Sequence, residues 1–221
     1  MLKVDTLKKV NFFSDFSDNE IERLASFAKL RHYPKGAVVI KMGELTSSLY
    51  LIADGLLKVR RVRKDGKEVI FSILKAGDIF GEMTYLSDGP RSADVLTLTE
   101  SDLVIIGRND FEAYMKDNKM FMLKIIKILV KRVAAANITI ERLALDNVYE
   151  RLAHFLTEHA VDDENTGKKV IRGLPTQADL ASIVGASREM VSKILRELTD
   201  GGFVSKTGKE LFINKKLPVS W

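Results

Sequence analysis

The chain of 221 residues contains no cysteine, which excludes disulfide staples, thiolate zinc sites and cysteine-held iron–sulfur clusters and fits a reducing compartment. Histidine is scarce too: His32, His154 and His159 are the full set. They read as ordinary surface or helix side chains, and no nucleophile–base pair or metal-ligand cluster stands out, so no enzyme and no bound metal are expected. Long apolar runs are missing as well. Nothing reaches the roughly 18 uninterrupted apolar residues of a membrane span, and Met1 to Phe16 is broken by Lys3, Asp5, Lys8 and Lys9, which leaves no signal-peptide core. The expectation is a soluble cytoplasmic protein without a membrane partner.

What is present points elsewhere. With 46% hydrophobic residues, the length suffices for two modest domains, each with its own core. Net charge is +5, and its location says more than its size: residues 1–167 hold 25 Lys+Arg against 25 Asp+Glu, whereas residues 168–221 hold 10 against 5. A small basic domain attached to a neutral one points to a polyanion; the alternative is an ordinary solvated surface.

Ser17-Asp18-Asn19-Glu20 has capping-box spacing and opens a short helix. From Tyr33-Pro34-Lys35-Gly36 to about Gly107 the hydrophobic period is two. Runs at Ala37–Ile40, Ser48–Ile52, Leu56–Val62, Glu68–Leu74 and Ser101–Ile106 are separated by Gly36, Gly43, Gly55, Asp65-Gly66, Gly77-Asp78 and Asp88-Gly89-Pro90. Short strands at regular turn spacing predict a small antiparallel β-roll. From Asp110 to Leu145 the period is helical, and Leu123, Ile126, Val130, Val133, Asn137, Ile140 and Ala144 follow at alternating intervals of three and four. That seam, spanning 123–144, predicts a parallel homodimer, with Asn137 at a register-fixing position.

A helix from about Asn147 to Ala160 follows, then the polar loop Asp162 to Lys169, which includes Asn165 and Thr166. Two short helices come next, at Thr176–Val184 and Ser187–Thr199, and a hairpin at Phe203–Ile213 closes the chain. Counting from Gln177, Ala181 is fifth, Gly185 ninth and Val191 fifteenth, with Leu180, Val184 and Ile194 in the apolar slots. A helix-turn-helix needs a small residue at the crossing, a turn glycine and a branched residue behind the second helix. The fold class is thus α+β: residues 1–109 a roll, 110–145 a long helix, and 146–221 a winged helix-turn-helix.

Ser187 caps the second helix and places Arg188, Glu189, Ser192 and Lys193 on its first two turns. Arg188 is suited to guanine, Glu189 to cytosine N4, and Lys193 to guanine or phosphate. Thr176, Gln177, Lys206 and Lys209 are expected at phosphates of double-stranded DNA. The alternative for this face is plain solvation. In the roll, Gly77-Asp78-Ile79-Phe80-Gly81-Glu82-Met83 is followed by Pro90-Arg91-Ser92-Ala93. Gly81 allows close backbone approach and the Glu82 carboxylate accepts from sugar hydroxyls. Arg91, the Ser92 hydroxyl and the neighbouring amide of Ala93 suit a phosphate. Taken singly, an arginine such as Arg91 is more often a surface ion pair; as a set, these residues favour phosphate binding.

With that cassette and those turn glycines, the roll resembles the cyclic-nucleotide-binding domain. Nearly the whole chain resembles the cyclic AMP receptor and fumarate-nitrate regulator (CRP/FNR) family, in its catabolite-activator branch. The resemblance implies a bacterial, homodimeric, allosteric transcription regulator. Cyclic AMP is the implied ligand, with Glu82 on the ribose 2′-hydroxyl and Arg91 and Ser92 on the cyclic phosphate. Met83 and Phe71 would lie against the base, and Arg132 would steady Glu82. Where the branch carries a Thr-Ser pair against adenine, this chain has Ala136-Asn137, which leaves the purine open; an asparagine amide still matches adenine N6 and N7. Family members answering to cyclic di-GMP, or active without ligand, give the alternative. The resemblance also implies palindromic DNA with half-sites of the TGTGA kind, and RNA polymerase as a partner near Lys29 and Arg31. Two rival classes are a regulatory module of an enzyme, for which the remaining chain is short, and a catalytic roll that hydrolyses its ligand.

Overall fold

A computed structural model describes residues 4–8, 10–164 and 167–218, except the side chains of residues 5, 6 and 11. Lys3 and Lys9 near the start, and Asn165 and Thr166 of the polar loop, lie outside the described residues. The chain forms two compact units, Met1–Ile128 and Leu129–Trp221.

The first unit begins with α1 (Val4–Lys8), a 3-10 turn (Asn11–Phe13) and α2 (Asp18–Phe27). Ser17 and Glu20 form the expected capping box: Ser17 Oγ accepts from Glu20 N, and the Glu20 carboxylate accepts from Ser17 N at 2.8 Å. Strands β1 (Lys29–Tyr33), β2 (Val38–Ile40), β3 (Leu49–Asp54), β4 (Leu56–Val62), β5 (Glu68–Lys75), β6 (Ile79–Phe80), β7 (Asp94–Thr97) and β8 (Ser101–Ile106) follow, with α3 (Glu82–Ser87) between β6 and β7. They build two antiparallel sheets in the orders β1-β8-β3-β6 and β2-β7-β4-β5, the expected roll. Alternation decides which side chains go inside. Leu57 belongs to the core with Tyr33, Tyr50, Ile52, Leu74, Phe80, Val95 and Leu103, and Val59 packs against it. The intervening Lys58 and Arg60 pair with Glu68 at 2.9 and 2.5 Å.

The helical stretch expected without a break from Asp110 to Leu145 is two helices, α4 (Arg108–Asp117) and α5 (Lys119–Leu145). Asn118 divides them. Its Oδ1 accepts from Phe121 N at 2.8 Å, and its Nδ2 donates to Glu20 Oε1 at 2.7 Å and to the Tyr114 hydroxyl at 3.2 Å. A buried asparagine that bonds main chain locally competes with helix continuation, and here the competition wins. Phe12, Phe111 and Tyr114 pack around Phe121 at centroid distances of 5.4, 5.7 and 5.2 Å, largely edge-on, and hold the break in place.

The second unit holds α5 from Leu129 onward, α6 (Val148–His159), β9 (Val161–Asp162), β10 (Lys169–Ile171), α7 (Gln177–Val184), α8 (Arg188–Asp200), β11 (Val204–Thr207) and β12 (Glu210–Ile213). The sheet runs β11-β12-β10-β9. The polar loop therefore links two short strands that join the expected hairpin. Leu152, Phe155, Leu156, Leu180, Val184, Val191, Ile194, Leu195 and Leu198 form the core of this winged helix-turn-helix. Each such side chain, fully buried, contributes about 1.5–3 kcal/mol. Among the described residues no helix is long and apolar enough to cross a membrane.

Candidate functional site

In the roll, the site begins with a backbone requirement. Gly81 has φ +88°, in the left-handed region, and stands immediately before α3. A Cβ built there would lie 2.8 Å from Arg91 Nη1 and 2.8 Å from the Ser48 carbonyl oxygen. Only glycine fits this cradle.

The absent side chain leaves room for Arg91, which is 3% exposed. Its Nη1 donates to the Gly81 carbonyl at 2.9 Å, its Nη2 to the Ser48 carbonyl at 2.8 Å, and its Nε to Thr46 Oγ1 at 3.1 Å. A longer contact of 3.5 Å joins Nη1 to Thr84 Oγ1. Burial pushes the guanidinium's pKa down, while Tyr50, Glu44 and Glu82 oppose that shift. Glu82, the first residue of α3, is itself buried at 2% exposure. Gly81, Glu82, Arg91 and the buried Ala93 thus converge in one region, with Ser92 exposed beside them and its hydroxyl 4.0 Å from Met83 Sδ. A buried cation and a buried carboxylate in one region, with an exposed hydroxyl next in sequence to the cation, suit a phosphate linked to a sugar.

Phe71 and Met83 are 56% and 55% exposed, two large apolar surfaces facing solvent in this unit. Phe71 falls at a register shift, where Val59 pairs with Ser72 but Arg60 pairs with Ile70; such a bulge re-aims a side chain. Arg132 and Asn137 lie on α5 beyond Ile128, Arg132 half-buried and Asn137 exposed. On the same helix Leu123, Ile126, Val130, Val133 and Ile140 are 52–64% exposed, while Phe121 and Ile125 are buried in their own unit. Lys29 and Arg31 are exposed on β1.

In the second unit, Gly185 ends α7 with φ +65°, as the turn requires, and a Cβ there would meet Leu143 Cδ2 at 3.1 Å. Ser187 Oγ accepts from Met190 N at 3.2 Å and caps α8. Val191, Ile194, Leu195 and Leu198 are buried, so Arg188, Glu189 and Lys193 are exposed, with Ser192 at the margin. Lys193 Nζ lies 3.9 Å from Glu197. Thr176 Oγ1 caps α7 through Asp179 N at 3.1 Å; Gln177 is half-buried, and Lys206 and Lys209 are exposed around the β11–β12 turn.

Sequence reasoning missed several parts of these surfaces. The Ser48 and Gly81 carbonyls carry no side-chain signature at all, and Thr46 sits in a Thr-Ser-Ser run without period. Arg196 is exposed one turn beyond Ser192 and Lys193, and the helical repeat alone would have found it.

Comparison with known proteins bears on both units. Residues 30–118 match the cyclic nucleotide-binding domain and residues 150–216 the Crp-like helix-turn-helix domain. The CRP-like cAMP-activated global transcriptional regulator of Mycobacterium tuberculosis is 28% identical over 213 residues, 95% of each chain. The cAMP-activated global transcriptional regulator CRP of Salmonella typhimurium is 29% identical over 199 residues, 89% of this chain and 95% of its own. The fold is also that of the c-di-GMP-responsive global regulator CLP of Xanthomonas campestris, with a TM-score of 0.78 at 22% identity over 90% of this chain and 100% of that one. The two domain matches in this order, over a β-roll followed by a winged helix-turn-helix, place the chain in the CRP/FNR family of DNA-binding transcription regulators.

Proposed function

We propose that this regulator is a homodimer whose affinity for palindromic DNA is set by a cyclic nucleotide, cyclic AMP first among the candidates, held in the roll. The observation that carries the reading is the Arg91 guanidinium, buried at 3% exposure next to the buried Glu82. Keeping a cation and a carboxylate out of water costs several kcal/mol per ion, and a roll needs neither for its fold. Arg91 and Ser92 take the cyclic phosphate, Glu82 accepts from the 2′-hydroxyl, and Phe71 and Met83 offer apolar surface to the base. Gly81 and Ala93 keep the backbone close. Arg132 and Asn137 contribute from α5, Asn137 to both dimer register and purine contact.

The exposed stripe from Leu123 to Ile140 supports the dimer, since a 27-residue helix with one apolar face buried in its own unit and another in water is incomplete alone. In α8, Arg188, Glu189, Ser192 and Lys193 read bases, and Ser187 orients the helix. Thr176, Gln177, Lys206 and Lys209 hold phosphates, and RNA polymerase is the further partner, at Lys29 and Arg31. Ligand works by differential binding: it must favour the DNA-competent state, because equal affinity for two states shifts neither.

Ala136-Asn137 in place of a Thr-Ser pair favours one second reading, a different effector such as the cyclic di-GMP to which the Xanthomonas regulator responds. Calorimetric titration with cyclic AMP, cyclic GMP and cyclic di-GMP separates these. Saturable binding of cyclic AMP supports the first reading, of cyclic di-GMP alone the second, and binding of none contradicts both.

A further inference from the structure

We propose that Thr46 is a positioning residue for the pocket arginine: its hydroxyl fixes the guanidinium of Arg91 from the Nε side and thereby sets how tightly the roll holds a cyclic phosphate. The inference rests on the reading of Arg91 as the phosphate ligand. A guanidinium has five N–H donors in one rigid plane, and in this roll that plane is held on three sides. Two of the holding groups, the Ser48 and Gly81 carbonyls, are main chain. The third is Thr46 Oγ1, 3.1 Å from Nε. Without it, the Nε–H would be left buried with no acceptor, or the plane would turn about its two carbonyl bonds to find another. Either change misdirects the remaining N–H groups that a phosphate must meet. A hydroxyl that accepts from Nε also keeps its own hydrogen to donate.

The loop carrying Thr46 is pinned independently of that hydroxyl. Gly43 N donates to the Arg91 carbonyl and Arg91 N to the Glu44 carbonyl, both at 2.9 Å, and Met42 N donates to Asp94 Oδ1 at 2.8 Å. Thr46 is exposed and belongs to no core cluster. Removing its hydroxyl therefore leaves loop and core in place and changes only the seat of the arginine.

The test is calorimetric titration of the full chain with cyclic AMP and with cyclic GMP, which carry the same cyclic phosphate, alongside melting without ligand. Thr46→Val should weaken binding about tenfold, the scale of one charge-assisted hydrogen bond, while keeping a cooperative melting transition whose midpoint falls by no more than a few degrees, the scale of one buried donor left without its acceptor. Thr46→Ser, which restores the oxygen, should bind within about twofold of the parent on the same scale. In an Arg91→Lys background, where no Nε–H is presented, adding Thr46→Val should change affinity no further. Parental affinity in Thr46→Val, no rescue by Ser, loss of the cooperative melting transition in Thr46→Val, or an undiminished loss in the Arg91→Lys background would each overturn the inference while leaving the pocket reading intact. A parent that binds neither nucleotide overturns the pocket reading, and the inference with it.

Discussion

A guanidinium at 3% exposure survives only because each side of it meets an acceptor, and those acceptors in turn dictate their neighbours. Gly81 is the clearest case, since its φ of +88° and the 2.8 Å approach of Arg91 Nη1 leave no volume for a methyl group. Gly81→Ala should destabilise the roll by about 1–3 kcal/mol, the cost of a strained backbone position, and weaken cyclic-nucleotide binding as Arg91 is displaced. Urea unfolding and calorimetry check the two effects, and parental values in both would contradict the cradle. Glu82 and Arg91-Ser92 were legible as candidates in the sequence because their chemistry resides in side chains at fixed spacing. Ser48 was not, because it contributes a carbonyl, and a carbonyl looks the same at every residue. The bulge at Phe71 was hidden for a related reason: alternation along β5 reads continuously through a shift that exists only in its pairing with β4.

Elements that carry their own punctuation were the legible ones. The Ser17 capping box, the Gly185 turn and the Ser187 cap stand where their residue types place them. β1, β6 and β7 went unread because β1 has four exposed residues of its five and no alternation, β6 has two residues, and β7 follows the cassette without a turn signal of its own. The break at Asn118 depends on Glu20, distant in sequence, and Glu20 supplies a test. Hydrogen bonds from the side chain and backbone of Ser17, with a smaller one from Asn118, hold the Glu20 carboxyl below its ordinary value of 4.5. A lowered folded-state value means a contribution that is complete above 4.5 and is lost as the pH falls below it, through the folded-state value. Urea unfolding from pH 7 downward should show Glu20→Gln losing less stability than the parent below pH 4.5; equal acid slopes would contradict the Ser17–Glu20 capping box as a source of stability. In the proposed reading the wing and α8 divide by function. Arg188→Ala should cost about 1–3 kcal/mol on a cognate half-site and relax base preference there. Lys206→Ala should weaken all sequences alike and lower the salt dependence by about one unit. Selection from randomised DNA at several salt concentrations separates them, and an unaltered preference in Arg188→Ala would remove α8 from the groove.

Across the whole molecule, charge and apolar surface are distributed unevenly. The positive excess sits in the last quarter of the chain, on the unit that carries the helix-turn-helix, whereas the nucleotide pocket is built in the neutral roll. The long helix α5 belongs to both units and carries the exposed apolar stripe, so in the proposed reading it is the element through which pocket, partner and DNA are joined along the chain. A coupling of this kind is reciprocal: a ligand that tightens DNA binding is itself bound more tightly by the DNA complex, and allosteric couplings are typically about 5- to 150-fold. The most direct test is fluorescence anisotropy of a labelled palindrome with TGTGA half-sites, titrated with the protein at fixed salt in the absence and presence of saturating cyclic AMP. The account predicts a Kd lower by at least about fivefold with the nucleotide, and loss of that difference in Arg91→Ala. The same Kd with and without cyclic AMP would contradict it.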